Sequence, residues 1–334
     1  MNNKPLFFIV LCIVLFSFKR SKDKLINAPK YFGSPVYNFK ENPLSKEKIL
    51  LGRALFHDPL LSDDKTISCT SCHSQYNAFT HTDHNLSHGI HDSIGKRNSP
   101  ALMNLAWQNS FMWDGSIHYL DVQSLGPISS KSEMGSSIDT VVQRLSKSDI
   151  YRSLFKKAYG SNEVTGEKTL KAITAFMLTF VSANSKYDKV KRNETSYTKQ
   201  EENGYLIFQK NCNSCHAEPL FTNHGFETNG LPIDSNLKDL GRMTVTKNAI
   251  DSLKFKIPTL RNIEFSYPYM HDGRFDKLSE VINHYTSESK LNKSLNIVLT
   301  EKESVDLLSF LLCLSDKEFL FNKKFNYPRE VLLN

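Results

Sequence analysis

The sequence predicts a mostly α-helical protein built from one unit repeated in tandem. Three observations predict it: apolar residues recur at helical spacing, no segment alternates like a long strand, and two five-residue motifs recur behind similar lead-ins. At 334 residues and 40% hydrophobic, the chain is long enough for two domains, each with its own core. A charged fraction of 23% and a net charge of +7 are modest and argue against a nucleic-acid partner.

The first element is residues 1–22, where Lys4 precedes an apolar run from Pro5 to Phe18, broken only by Ser17 and followed by Lys19 and Arg20. This is the layout of an export signal, and the run is short for a membrane span. No clear small-x-small cleavage site follows, so a cleaved signal peptide and a retained N-terminal anchor both stay open. Either way the chain is expected in the periplasm or otherwise exported. Cys12, behind Leu11, is poorly placed for lipid attachment.

Four of the remaining cysteines fall in Cys69-Thr70-Ser71-Cys72-His73 and Cys212-Asn213-Ser214-Cys215-His216. Both are C-x-x-C-H, the attachment signature of c-type haem: two thiols add to the porphyrin vinyl groups, and the next residue brings an imidazole to the iron. His73 and His216 are therefore the expected proximal ligands of two covalently bound haems. A single zinc shared by the two C-x-x-C pairs is the rival reading, disfavoured because each motif ends in His behind an export signal. Cys313 stands alone in an apolar stretch and reads as a small buried hydrophobe.

Leu51-Gly52-Arg53-Ala54-Leu55-Phe56 leads into the first motif and Asn203-Gly204-Tyr205-Leu206-Ile207-Phe208 into the second, both as helices. A longer echo runs without gaps: Pro100-Ala101-Leu102-Met103-Asn104 to Met112-Trp113-Asp114-Gly115, and Pro258-Thr259-Leu260-Arg261-Asn262 to Met270-His271-Asp272-Gly273. The expectation is two cytochrome c-like haem domains in tandem, residues 30–190 and 191–334, divided where the sequence turns polar at Lys191 to Lys199. Further helices are expected over Leu170 to Val181, with Ile173, Phe176, Met177 and Phe180 on one face, and over Val305 to Leu312.

Continuing the gapless match sets Leu120 opposite Leu278, Gln123 opposite Val281 and Pro127 opposite Tyr285. If this segment covers each haem, Tyr285 can close the second iron while the first is left open; a closed haem passes electrons and an open one activates small oxygen species. His284 and Met270 are alternative sixth ligands, although Met270 has a twin in Met112. His81, His84, His88 and His91 lie between the first motif and Pro100, either as a solvated loop or with one capping the first haem. His88 is the choice, because Gly89 after it permits a tight turn.

The two haem motifs, Phe111-Met112-Trp113-Asp114-Gly115, Gly126-Pro127 with Glu133-Met134, and Thr259-Leu260-Arg261-Asn262 followed by Pro268-Tyr269-Met270-His271-Asp272-Gly273 together resemble the bacterial dihaem cytochrome c peroxidases and their relative MauG. The resemblance covers Leu44 to Leu314. It implies a peroxidatic N-terminal haem, with Glu133 as distal acid/base, Gln123 as a pocket hydrogen-bonder and Trp113 between the haems. It implies hydrogen peroxide as substrate, a small electron-donor protein (cytochrome c or a cupredoxin) feeding the C-terminal haem, and admits a homodimer. Asn98, with carbonyls of Ser266 and Pro268, resembles a calcium site. Tyr285 stands where the peroxidases use methionine and MauG uses tyrosine, whereas His88 matches a displaceable histidine that MauG lacks. A MauG-like oxidase of a protein or organic substrate is thus the second reading, and an electron carrier with both irons closed the third.

Overall fold

The structure, a computed structural model, describes residues 25–286 and 297–333. The leader expected over 1–22 lies outside them. The fold is mostly helical: α1 Lys46–His57, α2 Ile138–Lys147, α3 Asp149–Tyr159, α4 Gly166–Met177, α5 Lys186–Lys191, α6 Lys199–Asn211, α7 Leu278–Thr286 and α8 Glu301–Leu312, joined by single turns. Hydroxyl N-caps start most of these, among them Ser45, Thr165, Thr198 and Thr300, each accepting a backbone N–H three residues on. The strands among the described residues are β1 Phe226–Glu227 and β2 Phe255–Lys256, an antiparallel pair. No described helix is long and apolar enough to cross a membrane.

The sequence echo is an echo of backbone. Asn104 and Asn262 both take left-handed torsions (φ 53° and 56°), as do Met112 and Met270 (68° and 76°) and Gly115 and Gly273 (66° and 67°). Each copy closes on the same kind of bridge, Phe111 with Ile117 and Tyr269 with Phe275. The glycines of the two lead-ins share a packing duty. A Cβ on Gly52 of α1 would sit 1.8 Å from the Ala172 carbonyl oxygen of α4, and one on Gly204 of α6 would sit 1.9 Å from that of Asp306 in α8. Two helix pairs therefore cross at glycine, backbone against backbone.

Each crossing is surrounded by its own apolar cluster. Leu51, Leu55, Phe56, Phe79, Ile173 and Phe180 belong to the first, and Tyr187, Phe208, Phe221, Phe310 and Leu314 to the second. Helix α4 ends at Met177, short of the expected Val181; Phe180 still reaches the core from the following turn, stacked on Phe79 at 3.9 Å between centroids. Chain order is not respected at the end: Phe319, Leu320 and Phe325 pack back into the first cluster. A fully buried ion pair ties α5 to Arg261 of the second repeat. Asp188 accepts both guanidinium nitrogens of Arg261 at 2.9 Å and the Tyr31 hydroxyl at 2.8 Å. Cys313 is buried, with its thiol on the Ser309 carbonyl.

Candidate functional site

Cys69–Cys72 is one helical turn, which sets the two thiols on one side and delivers His73 as its C-cap. His73 Nδ1 lies 2.7 Å from the Phe79 carbonyl, and His216 Nδ1 3.3 Å from the Phe221 and 3.1 Å from the Pro258 carbonyl. A carbonyl can only accept, so Nδ1 carries the proton and the Nε2 lone pair is left for a metal. Burial pulls His73 down to about 4 and His216 in the same direction, so both imidazoles are neutral donors. No three or more His, Cys, Asp or Glu side chains converge into a metal site among the described residues, which removes the shared zinc. Two separate thiol pairs, each followed by an oriented imidazole, fit c-type haem.

Around the first motif the chain gathers Cys72, His88 and Glu133. The Cys72 thiol reaches the His88 carbonyl at 3.5 Å, and the Glu133 carboxylate is near enough to raise that thiol, after burial, electrostatically. The Glu133 backbone carbonyl receives the Ile90 N–H at 2.8 Å. Burial raises the Glu133 carboxyl above the ordinary range, opposed by a Ser130 hydrogen bond. Gln123 donates to Met112 Sδ at 3.6 Å.

Gly89 corrects the reason given for it. Its φ is −113°, open to any residue; what requires glycine is space, since a Cβ would meet the Ser132 and Glu133 carbonyl oxygens at 2.3 and 2.5 Å. The imidazoles of His81, His84 and His88 form a row, 5.4 and 4.9 Å between centroids, with His81 the most buried and its Nδ1 unpartnered. His91 is apart, 3.9 Å from Asp64. Sequence reasoning singled out His88 and missed that His81 lies deeper.

At the junction of the halves, Trp113 donates its indole N–H to the Asn98 carbonyl at 2.8 Å and accepts the Lys256 N–H at 2.7 Å. Asn98 donates its backbone N–H to His271 O (2.7 Å) and its side-chain amide to Pro268 O (2.5 Å), while its Oδ1 is buried without a partner. An orphaned amide oxygen against the Pro268 carbonyl, two residues from Ser266, fits a hard cation such as calcium. Arg97 bridges the halves, pairing with Asp114 at 2.7 Å and Asp239 at 2.6 Å, and no motif announced it.

In the second half Tyr285 is half-buried; removal from water first, then the nearby Cys212 and Cys215 thiols, push its phenol well above the ordinary range. It therefore lies near the thiols of the second C-x-x-C-H motif. His284 turns Nε2 to the Asn229 carbonyl at 2.7 Å, and Met270 Sδ accepts the Asn229 amide at 3.3 Å. Met112, its twin, has the equivalent amide contact from Gln123.

Residues 46–196 match the family model described as di-haem cytochrome c peroxidase. The methylamine utilization protein MauG of Methylorubrum extorquens is 34% identical over 289 residues, 81% of this chain and 79% of that one. The chain belongs to the di-haem cytochrome c peroxidase and MauG family. The cytochrome c551 peroxidase of Nitrosomonas europaea is likewise 34% identical, over 76% of this chain and 77% of its own. Cytochrome c peroxidase Ccp of Escherichia coli is 32% identical over 85% of this chain and 62% of its own. Among solved structures, a MauG-like protein associated with microbial copper homeostasis superposes with a TM-score of 0.82 at 30% identity, covering 90% of this chain and 98% of that one. The family is one of di-haem oxidoreductases, and it spans both peroxidase and MauG members.

Proposed function

We propose that the chain is an exported di-haem cytochrome c peroxidase, with one haem on each half and the halves divided near residue 191. It reduces hydrogen peroxide to water with electrons from a small redox protein. The observation that carries this is a half-buried carboxyl, Glu133, beside Cys72 of the first motif, where the described residues near the second motif offer the Tyr285 phenol. Cys69, Cys72 and His73 hold the first haem, and Cys212, Cys215 and His216 the second; when bound, the first supplies the iron that takes electrons to the substrate. Glu133 accepts the proton from one peroxide oxygen and returns it to the other, for which a carboxyl raised by burial is suited. Gln123 orients the substrate, and His88 caps the site in the resting form. Trp113, fixed to both halves, lies on the electron route. Tyr285 would be the residue available to the second iron, and Asn98 with the Ser266 and Pro268 carbonyls would hold one calcium at the junction.

The MauG-like reading is favoured by one observation, the phenol of Tyr285 near Cys212 and Cys215, where the peroxidases carry methionine. The mature protein, oxidised and then half-reduced, separates the two by optical and EPR spectra followed by addition of peroxide with reduced cytochrome c. A high-spin signal with cytochrome c turnover supports the peroxidase. A peroxide-dependent spectral change without turnover moves the assignment to a MauG-like oxidase, and two unresponsive low-spin haems to an electron carrier.

A further inference from the structure

Lys256, in β2, is fixed between the halves. Its N–H donates to the Trp113 carbonyl, the following Ile257 is held by Gly225 and by the Thr222 hydroxyl, and the carbonyl of Pro258 receives His216 Nδ1. The lysine thus stands on the wall that orients the second proximal imidazole. Its ammonium is met by a neutral group, the Gln108 amide oxygen at 3.4 Å, and no carboxylate among the described residues pairs with it. Burial, unopposed by any acidic neighbour, pulls the ammonium down to about 8. Beside it His224 takes a left-handed backbone (φ 58°) with Nδ1 buried and unpartnered; burial and then the Lys256 charge pull this imidazole down to about 4.

An ammonium drawn partly out of water without a counter-charge is costly, and so is a buried ring nitrogen without a hydrogen bond. The lysine charge is near enough to act on the imidazole, and both groups would be satisfied by one carboxylate that the described residues do not supply. A haem held by thioethers at its vinyl groups carries two carboxylates elsewhere on its rim. We infer that Lys256 is the counter-ion of a haem propionate, with His224 as its hydrogen-bonding neighbour. The assignment rests on the haem-binding reading above, and the position beside Pro258 favours the C-terminal haem. A fixed positive charge there offsets the propionate and favours the reduced iron, so Lys256 is a residue that sets potential.

The test uses the mature protein, with haem content measured by pyridine haemochromogen and each haem followed in a potentiometric titration. Lys256→Met is expected to keep both haems while the ferrous-to-ferric ratio of the C-terminal haem at fixed potential falls about tenfold, a lowering of about 59 mV for one electron. Lys256→Arg should restore the wild-type value. The same fall at the N-terminal haem instead would assign the propionate to that haem. Unchanged potentials at both haems in Lys256→Met overturn the inference; if that variant does not fold, Lys256→Gln is read in the same way. Wild-type protein without two haems is a different result, since it removes the haem-binding reading itself.

Discussion

After the repeated Asp-Gly turn, the first half continues as two short helices, Leu120–Gln123 and Leu125–Ser129, and the second as the unbroken α7. Pro127 accounts for the break: it has no N–H to give the Gln123 carbonyl, so the helix cannot run through. At the same place α7 keeps its hydrogen bonds and carries Tyr285 inward. Pro127 thus stands where one segment turns toward Glu133 and the other continues as a helix carrying a phenol. The repeated backbone is a common support, and the chemistry differs where the repeat fails.

That contrast can be broken at several points. Glu133→Gln should keep both haems and lower peroxidase turnover by about 10²–10⁴-fold; undiminished turnover would remove the carboxyl from the reaction. Because burial raises the Glu133 carboxyl, the ionised form needed to take a proton is lost as pH falls through that raised value. The wild-type rate should therefore show an acid limb above the ordinary glutamate range, absent in the variant. Next in size, Asp188→Ala leaves Arg261 buried and unpaired and should cost about 3–5 kcal/mol of unfolding free energy in a denaturant titration. Gly52→Ala and Gly204→Ala ask whether the two crossings are equivalent. Each should cost about 1–3 kcal/mol by overpacking, and a large inequality would show that one pair can separate without strain. The smallest change is spectroscopic: Tyr285→Phe should alter the EPR signal of one haem only, and identical spectra would exclude the phenol as ligand.

Much of this was legible beforehand because it resides in spacing. The haem motifs, the paired lead-in glycines and the Asn-to-Gly echo are fixed intervals, and intervals survive folding. Which imidazole lies deepest is not an interval. His81, His84 and His88 recur at spacings of three and four, and which of them the fold covers is settled by packing from elsewhere in the chain. Gly89 was found for the wrong reason, since sequence registers a missing side chain and not whether torsion or space demands it. Lys256 was one of 42 basic residues and gave no signal, because an unpaired charge is visible only against its neighbours.

The return of Phe319, Leu320 and Phe325 to the first core orders events during synthesis. Until residue 325 has emerged, that core lacks three of its apolar side chains, although every residue of the first haem motif was made some 250 positions earlier. The earlier half therefore finishes last. On the function proposed above, Cys69 and Cys72 would meet porphyrin on a chain that cannot yet close around them, and the far C-terminus would be the latch on the N-terminal site.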